Sequence, residues 1–281
     1  MKRIFLYVIV CVALHQGLRA QDGYFFVGEA GIAVGGAHYF GDLNTRAALN
    51  KPGISYGVFA KKNFGNFTAL RVAANYARVG YADKYNLKNK WQRGRNLSFF
   101  SDVYEFSLQG DFNFLKYMPN SEFYRYTPYI TFGVGLFAFE PMAYSTVNPD
   151  APAVSLRSIA GGTEGVEYQP MAVCFPLGVG MKFSLTRKLN LMFEAGYRFT
   201  TTDYLDDVST SYLPPDNPSR SKALPQVAEF FDRSEKSDYS KRDGNNNPGL
   251  QRGNPSIKDS YIFAHIGLSI NIISYKCPTA Y

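Results

Sequence analysis

Asp203, Asp206 and Asp207 form the densest carboxylate group in the chain, and such a group can in principle hold a metal ion or share an acid/base proton. Acidic residues at the base of a loop, however, more often accept backbone amide hydrogens and cap turns. The three histidines do not complete a ligand set: His15 falls in the N-terminal leader, His38 opens a loop and His265 lies in a strand, with no zinc-like spacing among them. Asp243, Asn245 and Asn247 alternate oxygen donors as a calcium loop does. Pro248 then occupies the position that needs glycine, and Asn254 stands where the bidentate glutamate belongs, so a flexible turn is the better reading. Gly35-Gly36 and Gly161-Gly162 lack the strand-to-helix setting of a phosphate cradle. No nucleophile or acid with a histidine assembles at a rim, so the chain reads as non-enzymatic, with no cofactor, metal or small-molecule substrate.

The remaining chemistry-bearing side chains recur in step with a two-residue period. Glu29, Arg71, Asn75, Glu105, Gln109, Asp111, Lys182, Glu194, Arg198 and His265 all fall on the polar phase of alternating runs. In residues 189–200, Leu189, Leu191, Phe193, Ala195, Tyr197 and Phe199 face one way, while Asn190, Met192, Glu194, Gly196, Arg198 and Thr200 face the other. The outward phase is apolar elsewhere too: Tyr104, Phe106, Leu108 and Phe112 in one run, Val173 to Phe183 at alternate positions in another, and Ile262 to Ile272 in the last. An apolar outside over a polar inside is the pattern of a membrane barrel. A soluble eight-stranded barrel of the lipocalin type would fill its interior with apolar side chains or a ligand.

Eight strands are expected at residues 24–37, 54–62, 68–82, 98–114, 128–139, 171–184, 189–204 and 259–273. The links at 63–66 and 185–188 are tight and that at 115–127 is intermediate, whereas 38–53, 83–97, 140–170 and 205–258 are long. Alternation of brief and long links predicts an all-β, eight-stranded antiparallel transmembrane barrel of the OmpA-like kind, with long extracellular loops and both termini periplasmic. The charged lumen residues should pair, because an uncompensated buried charge costs several kcal/mol. An eight-stranded barrel holds little more than its own side chains, so Glu29, Arg71, Glu105, Asp111, Lys182, Glu194 and Arg198 should plug it. Tyr24, Phe25 and Phe26 at one end, and Tyr39, Phe40, Tyr81, Phe99, Phe100 and Tyr204 at the other, are expected in interfacial girdles.

The start of the chain agrees. Lys2 and Arg3 precede an apolar run at 4–14, and Ala20 marks a cleavage point before Gln21, which makes residues 1–20 an export signal and 21–281 the barrel domain. With Lys2, Arg3 and Arg19 removed, the formal charge of +7 falls by three to +4, too modest for a nucleic-acid partner. Aromatic residues make up 16% and charged residues only 19%, as suits a lipid-facing barrel. Cys11 leaves with the signal, and Cys174 and Cys277 fall at opposite ends of the barrel, so both should stay free thiols. The loop 205–258 carries a candidate amphipathic helix at 225–231, with Val227, Phe230 and Phe231, and either folds over the barrel mouth or docks on another protein.

Two segments, GGAHYFGDLN at 35–44 and DYLDDVSTSY at 203–212, resemble a Bacteroidetes family of small outer-membrane barrels, the PorG family of the type IX protein secretion system. The resemblance implies a structural role in secretion and partners in a periplasmic ring lipoprotein and its partner subunit, in addition to outer-membrane lipid. Tyr117, Glu122, Phe123, Tyr124, Arg125 and Tyr126 in the turn 115–127 are the candidate docking residues, since aromatics and Arg are enriched in binding hot spots; an aromatic girdle explains them equally well. The tail 274–281 lies on the same side. The competing function is a stand-alone OmpA-like barrel for envelope integrity or surface adhesion.

Overall fold

The computed structural model describes residues 24–119, 121, 123–148, 150–159, 161–214, 216–221, 225–234 and 251–275. The expected signal at 1–20, the donor run 243–249 and Cys277 lie outside the described residues. The strands are β1 (Tyr24–Phe40), β2 (Gly53–Phe64), β3 (Thr68–Ala82), β4 (Ser98–Asn113), β5 (Tyr126–Ala143), the two-residue β6 (Val154–Ser155), β7 (Met171–Ser184), β8 (Leu189–Thr200) and β9 (Ser260–Tyr275). The eight long strands each pair antiparallel with their neighbours, β4 with β5 and β5 with β7, and β1 joins β9 from Tyr24↔Tyr275 to Phe40↔Ser260. The sheet is therefore closed, an eight-stranded antiparallel barrel with no free strand edge, which is the condition for strands to cross lipid. β6 adds only a short ribbon to the end of β5.

Alternation of side-chain size and polarity produces this closure. Along β4, Tyr104, Phe106 and Leu108 are exposed while Glu105, Ser107 and Gln109 are buried, and the same inversion of a soluble protein's pattern holds on every barrel strand. On β2, β5 and β9 the outer wall carries Ile54, Val58, Phe132, Val134, Leu136, Ile266, Leu268 and Ile270. Such a belt is stable only against hydrocarbon. No helix among the described residues is long and apolar enough to span a membrane.

One end of the barrel carries the brief turns, the start of β1 and the end of β9. The turn from β2 to β3 is closed by Gly65 at φ +76°, a conformation open to glycine at little cost. At the other end the strands differ from expectation. β1 runs on to Phe40 and β5 to Ala143, because above the barrel they keep pairing with β9 and β4. β8 stops at Thr200, where Thr201 N turns to bond Val173 O at 3.0 Å and the chain enters the long loop.

The long loops fold together into a cap over that end. Leu43, Leu97, Leu156, Ile159, Leu205, Val208, Phe230 and Phe231 form its apolar interior. The expected helix at 225–231 is a 3-10 helix, Pro225–Phe230, that delivers Phe230 and Phe231 into this interior, and a short helix, Lys90–Arg95, is capped by the Asn89 side chain. Of the two alternatives for the 205–258 loop, its described part folds over the barrel mouth.

Candidate functional site

Four cations and four carboxylates from β1, β2, β3, β4, β7 and β8 meet inside the barrel. Lys182 Nζ donates to Glu29 Oε1 at 2.8 Å, and Lys61 Nζ lies 2.7 Å from Asp111 Oδ2. Arg71 sits at the centre: Nε and Nη2 bond Asp111 Oδ1 at 3.1 and 2.7 Å, and Nη1 bonds Glu194 Oε2 at 2.6 Å. Arg198 Nε reaches Glu105 Oε2 at 3.2 Å. Neutral groups complete the acceptors: Tyr129 OH donates to Glu194 and Tyr261 OH to Glu105, at 2.7 and 2.8 Å, and Asn75 donates to Glu105 at 3.0 Å. The Tyr129 ring finds room only because Gly180 opposes it, where a Cβ would come within 2.5 Å of the ring. His265 binds Ser55 Oγ at 2.9 Å, and Gln109 accepts from Thr131 at 3.0 Å. All seven of the charges anticipated in the lumen are buried.

Lys61 was legible but overlooked, since β2 alternates from exposed Ile54 and puts Ser55, Gly57, Phe59 and Lys61 on the inner phase. Tyr129 and Tyr261 carry no charge to mark them. Cys174 is buried as a free thiol beside Glu105, with Sγ at 3.9 Å.

The cap is a second buried polar assembly. Tyr39 OH donates to Asp206 and, at 3.0 Å, to Asp259 Oδ1, while Asp206 and Asp259 also accept the amides of Val208 and Leu205 at 2.9 Å each. Asp203, Asp206 and Asp207 therefore serve as backbone and side-chain acceptors that shape the loop; Asp207 takes Tyr168 OH at 2.7 Å and the Thr163 side chain. Arg95 clasps Asp83 with two bonds of 2.7 Å, and Arg252 reaches Glu164 at 3.2 Å and Asp207 O at 2.7 Å. Burial is the leading cause that raises the carboxyls of Asp42, Asp203, Asp206 and Asp259, with mutual repulsion adding to it; Asp42 and Asp203 reach about 6, and Asp206 and Asp259 go well above the usual range. No group of three or more His, Cys, Asp or Glu side chains among the described residues has metal-holding geometry.

Three of the residues expected in the far girdle belong to this interior instead. Tyr39, Tyr81 and Phe99 are buried on the inner phase, because the strands continue above the lipid belt and their inner face meets the cap. Phe40 and Phe100 keep outward contacts, stacking on Tyr197 and Tyr144.

At the short-turn end the docking candidates separate. Tyr117 is a correction: it is only 6% exposed, and its hydroxyl donates to Asn190 Oδ1 at 2.7 Å, so it closes the barrel floor rather than facing outward. Tyr126 opens β5 and stacks with Phe183 on the outer wall, in the manner of a girdle. Phe123, Tyr124 and Arg125 remain exposed on the turn, with Phe123 at 82%; Glu122 lies outside the described residues.

Among solved structures, the chain is similar to neisserial surface protein A, at 11% identity over 89% of this chain and 100% of that one, with a TM-score of 0.41. It is similar also to the N-terminal β-barrel domain of Pseudomonas aeruginosa OprF, at 10% identity over 87% and 99% of the two chains and a TM-score of 0.36. The outer membrane enzyme PagL matches at 11% identity over 87% and 99%, with a TM-score of 0.32. The barrel assignment stands on strand pairing, independent of these likenesses. No curated protein matches the chain. The family described as a domain of unknown function, DUF6089, matches residues 2–217, more than half of the sequence, and the chain belongs to that family.

Proposed function

We propose that this outer-membrane barrel is a non-enzymatic component of the type IX protein secretion system that anchors or aligns periplasmic ring subunits through its short-turn rim. The reading joins the sequence resemblance of residues 35–44 and 203–212 to one structural observation, the exposed display of Phe123, Tyr124 and Arg125 on the turn. A girdle residue would lie along the wall as Tyr126 does; Phe123 projects from the turn at 82% exposure. The two resembling segments touch one another in the cap, through Tyr39 and Asp206, so they define the opposite end and leave the short-turn rim to the partner. This orientation puts both termini and the rim in the periplasm and the cap at the cell surface, with residues 1–20 as the export signal. The charged lumen supports an anchoring role, because its side chains fill the bore.

The test is replacement of Phe123, Tyr124 and Arg125 together by Ala. Co-purification with the ring lipoprotein and its partner subunit should fall, along with export, while heat-modifiable mobility on gels shows the barrel still inserted. Retained ring binding and secretion in the inserted variant, with both lost on trimming the long loops, would refute rim docking. The alternative of a stand-alone barrel for envelope integrity or surface adhesion draws on Leu87 and Val147, exposed at 79% and 82% on the cap, and predicts that loop trimming alone has a phenotype.

A further inference from the structure

A groove of about 480 Å³ runs along the rim at the long-loop end, between the end of the first loop, the upper part of β3 and the loop that follows β5. Its walls include Lys51, Arg78, Tyr81, Lys84, Tyr85, Phe100 and Tyr144. The ammonium groups of Lys51 and Lys84 both lie over the Tyr85 ring, at 4.6 and 5.4 Å from its centroid. Two cations gathered on one ring repel each other, and the nearby carboxylates are already engaged: Asp102 by Arg78, Asp83 by Arg95 and Glu229 by Thr146. Tyr81, on the inner phase of β3, backs the groove edge-on against the Tyr85 ring, with its hydroxyl covered by protein. Two ammonium groups that share one ring and have no carboxylate partner among the described residues call for an anion.

The height of the groove says which anion. Reading up the outer wall of β3, exposed Leu70 and Val72 belong to the lipid belt. Above the belt's middle, Tyr56, Tyr76 and Tyr104 form a row across β2, β3 and β4, with ring centroids 4.7 and 5.3 Å apart. The next outward pair on β3 and β4 is Arg78 with Asp102, the guanidinium lying 5.4 Å from the Phe100 ring, and the lysines follow. Apolar residues, then a tyrosine, then a cation along β3 is the order of hydrocarbon, interface and headgroup.

We propose that this groove binds the phosphorylated headgroup of an outer-leaflet glycolipid. Lys51 and Lys84 meet the phosphate as point charges, and Tyr85 and Tyr144 flank the sugar. A lipid, in preference to a soluble anion, follows from the continuity of the groove, through Arg78, with the outer wall of β3, which lets acyl chains lie against Leu70 and Val72 while the headgroup reaches the lysines.

The proposal rests on the reading that the long loops face the cell surface, but binding in micelles does not depend on orientation, so the two can fail separately. The refolded barrel in dodecyl maltoside is titrated with diphosphoryl lipid A, with its dephosphorylated form and with glucose 1-phosphate, and bound adducts are counted by native mass spectrometry. The wild-type barrel should retain diphosphoryl lipid A alone. K51A/K84A should bind it about tenfold more weakly or worse, as expected for two charge-assisted contacts. K62A/K188A, which removes exposed cations at the short-turn end, should bind as the wild type does. Unchanged binding by K51A/K84A, equal retention of the dephosphorylated lipid, or glucose 1-phosphate binding as tightly as the lipid would each overturn the proposal. Surface labelling of loop cysteines in cells tests the orientation by itself.

Discussion

Arg71 is the side chain whose loss the barrel should tolerate least. Its guanidinium makes three hydrogen bonds to Asp111 and Glu194 and lies 5.9 Å from the Tyr129 ring. Four cations, Lys61, Arg71, Lys182 and Arg198, balance four carboxylates, Glu29, Glu105, Asp111 and Glu194. R71M keeps the length of the side chain and removes one positive charge. Asp111 retains Lys61 at 2.7 Å, so the stranded group is Glu194, left with the Tyr129 hydroxyl. Breaking a buried pair from one side costs about 3 to 5 kcal/mol. R71M/E194Q restores the balance with three of each sign, and the Gln carbonyl still accepts from Tyr129, so most of the cost should return and the double variant should lie within about 2 kcal/mol of the wild type. The assay is urea unfolding in phospholipid vesicles, read by the gel mobility difference between folded and boiled protein. A cost below about 1 kcal/mol for R71M, or a double variant no better than the single, would mean that the lumen charges are solvated individually rather than by one another.

Three further outcomes follow from the same geometry. I266R, on the outward phase of β9 opposite Phe193 and Val34, should weaken folding into vesicles by about 2 to 4 kcal/mol, and a neutral result would remove Ile266 from the mid-bilayer. Planar-bilayer recordings should show no large, steady pore, whereas porin-sized conductance would contradict a filled lumen. The cap carboxyls of Asp42 and Asp203 hold their protons up to about 6, against 3.8 when the loops open, and Asp206 and Asp259 hold theirs further. A folded state that keeps protons the open state releases is at full strength below about pH 4 and weakens as pH rises through 6, so amide exchange in the loops, corrected for its intrinsic rate, should show easier opening at pH 7.5 than at pH 5; the reverse trend would refute the assignment.

The barrel was legible because its two faces demand opposite chemistry at every second residue. Phe193, Glu194 and Ala195 already state which way β8 faces, and brief turns such as 185–188 state how the strands connect. What periodicity conveys is the phase of a side chain, not its height along the barrel. Tyr39, Tyr81 and Phe99 have the composition of a girdle, yet they stand where β1, β3 and β4 outrun the lipid, and on the inner phase, so the cap takes them. Tyr117 failed for a related reason: a turn residue has no alternating partner to fix its direction, and the acceptor that turns it inward, Asn190, is 73 positions away.

The cap was hidden more deeply. Its contacts join Asp42 to Asn254, Arg95 to Arg252 and Glu164 to Thr210, pairs separated by long stretches of chain and brought together only because barrel closure places all four long loops over one mouth. No local rule links such residues; the connection runs through topology. This division also bears on function. The lumen and the cap satisfy most of their described polar groups from within, and exposed aromatic and cationic side chains are displayed at the two rims: Phe123, Tyr124 and Arg125 on the short turn, and Lys51 and Lys84, shared by the Tyr85 ring, at the opposite end. A barrel whose interior is spent on holding itself together, and which displays exposed aromatic and cationic groups at both rims, is suited to contacts with its surroundings, proposed above as a protein partner at the short-turn rim and a lipid headgroup at the long-loop rim.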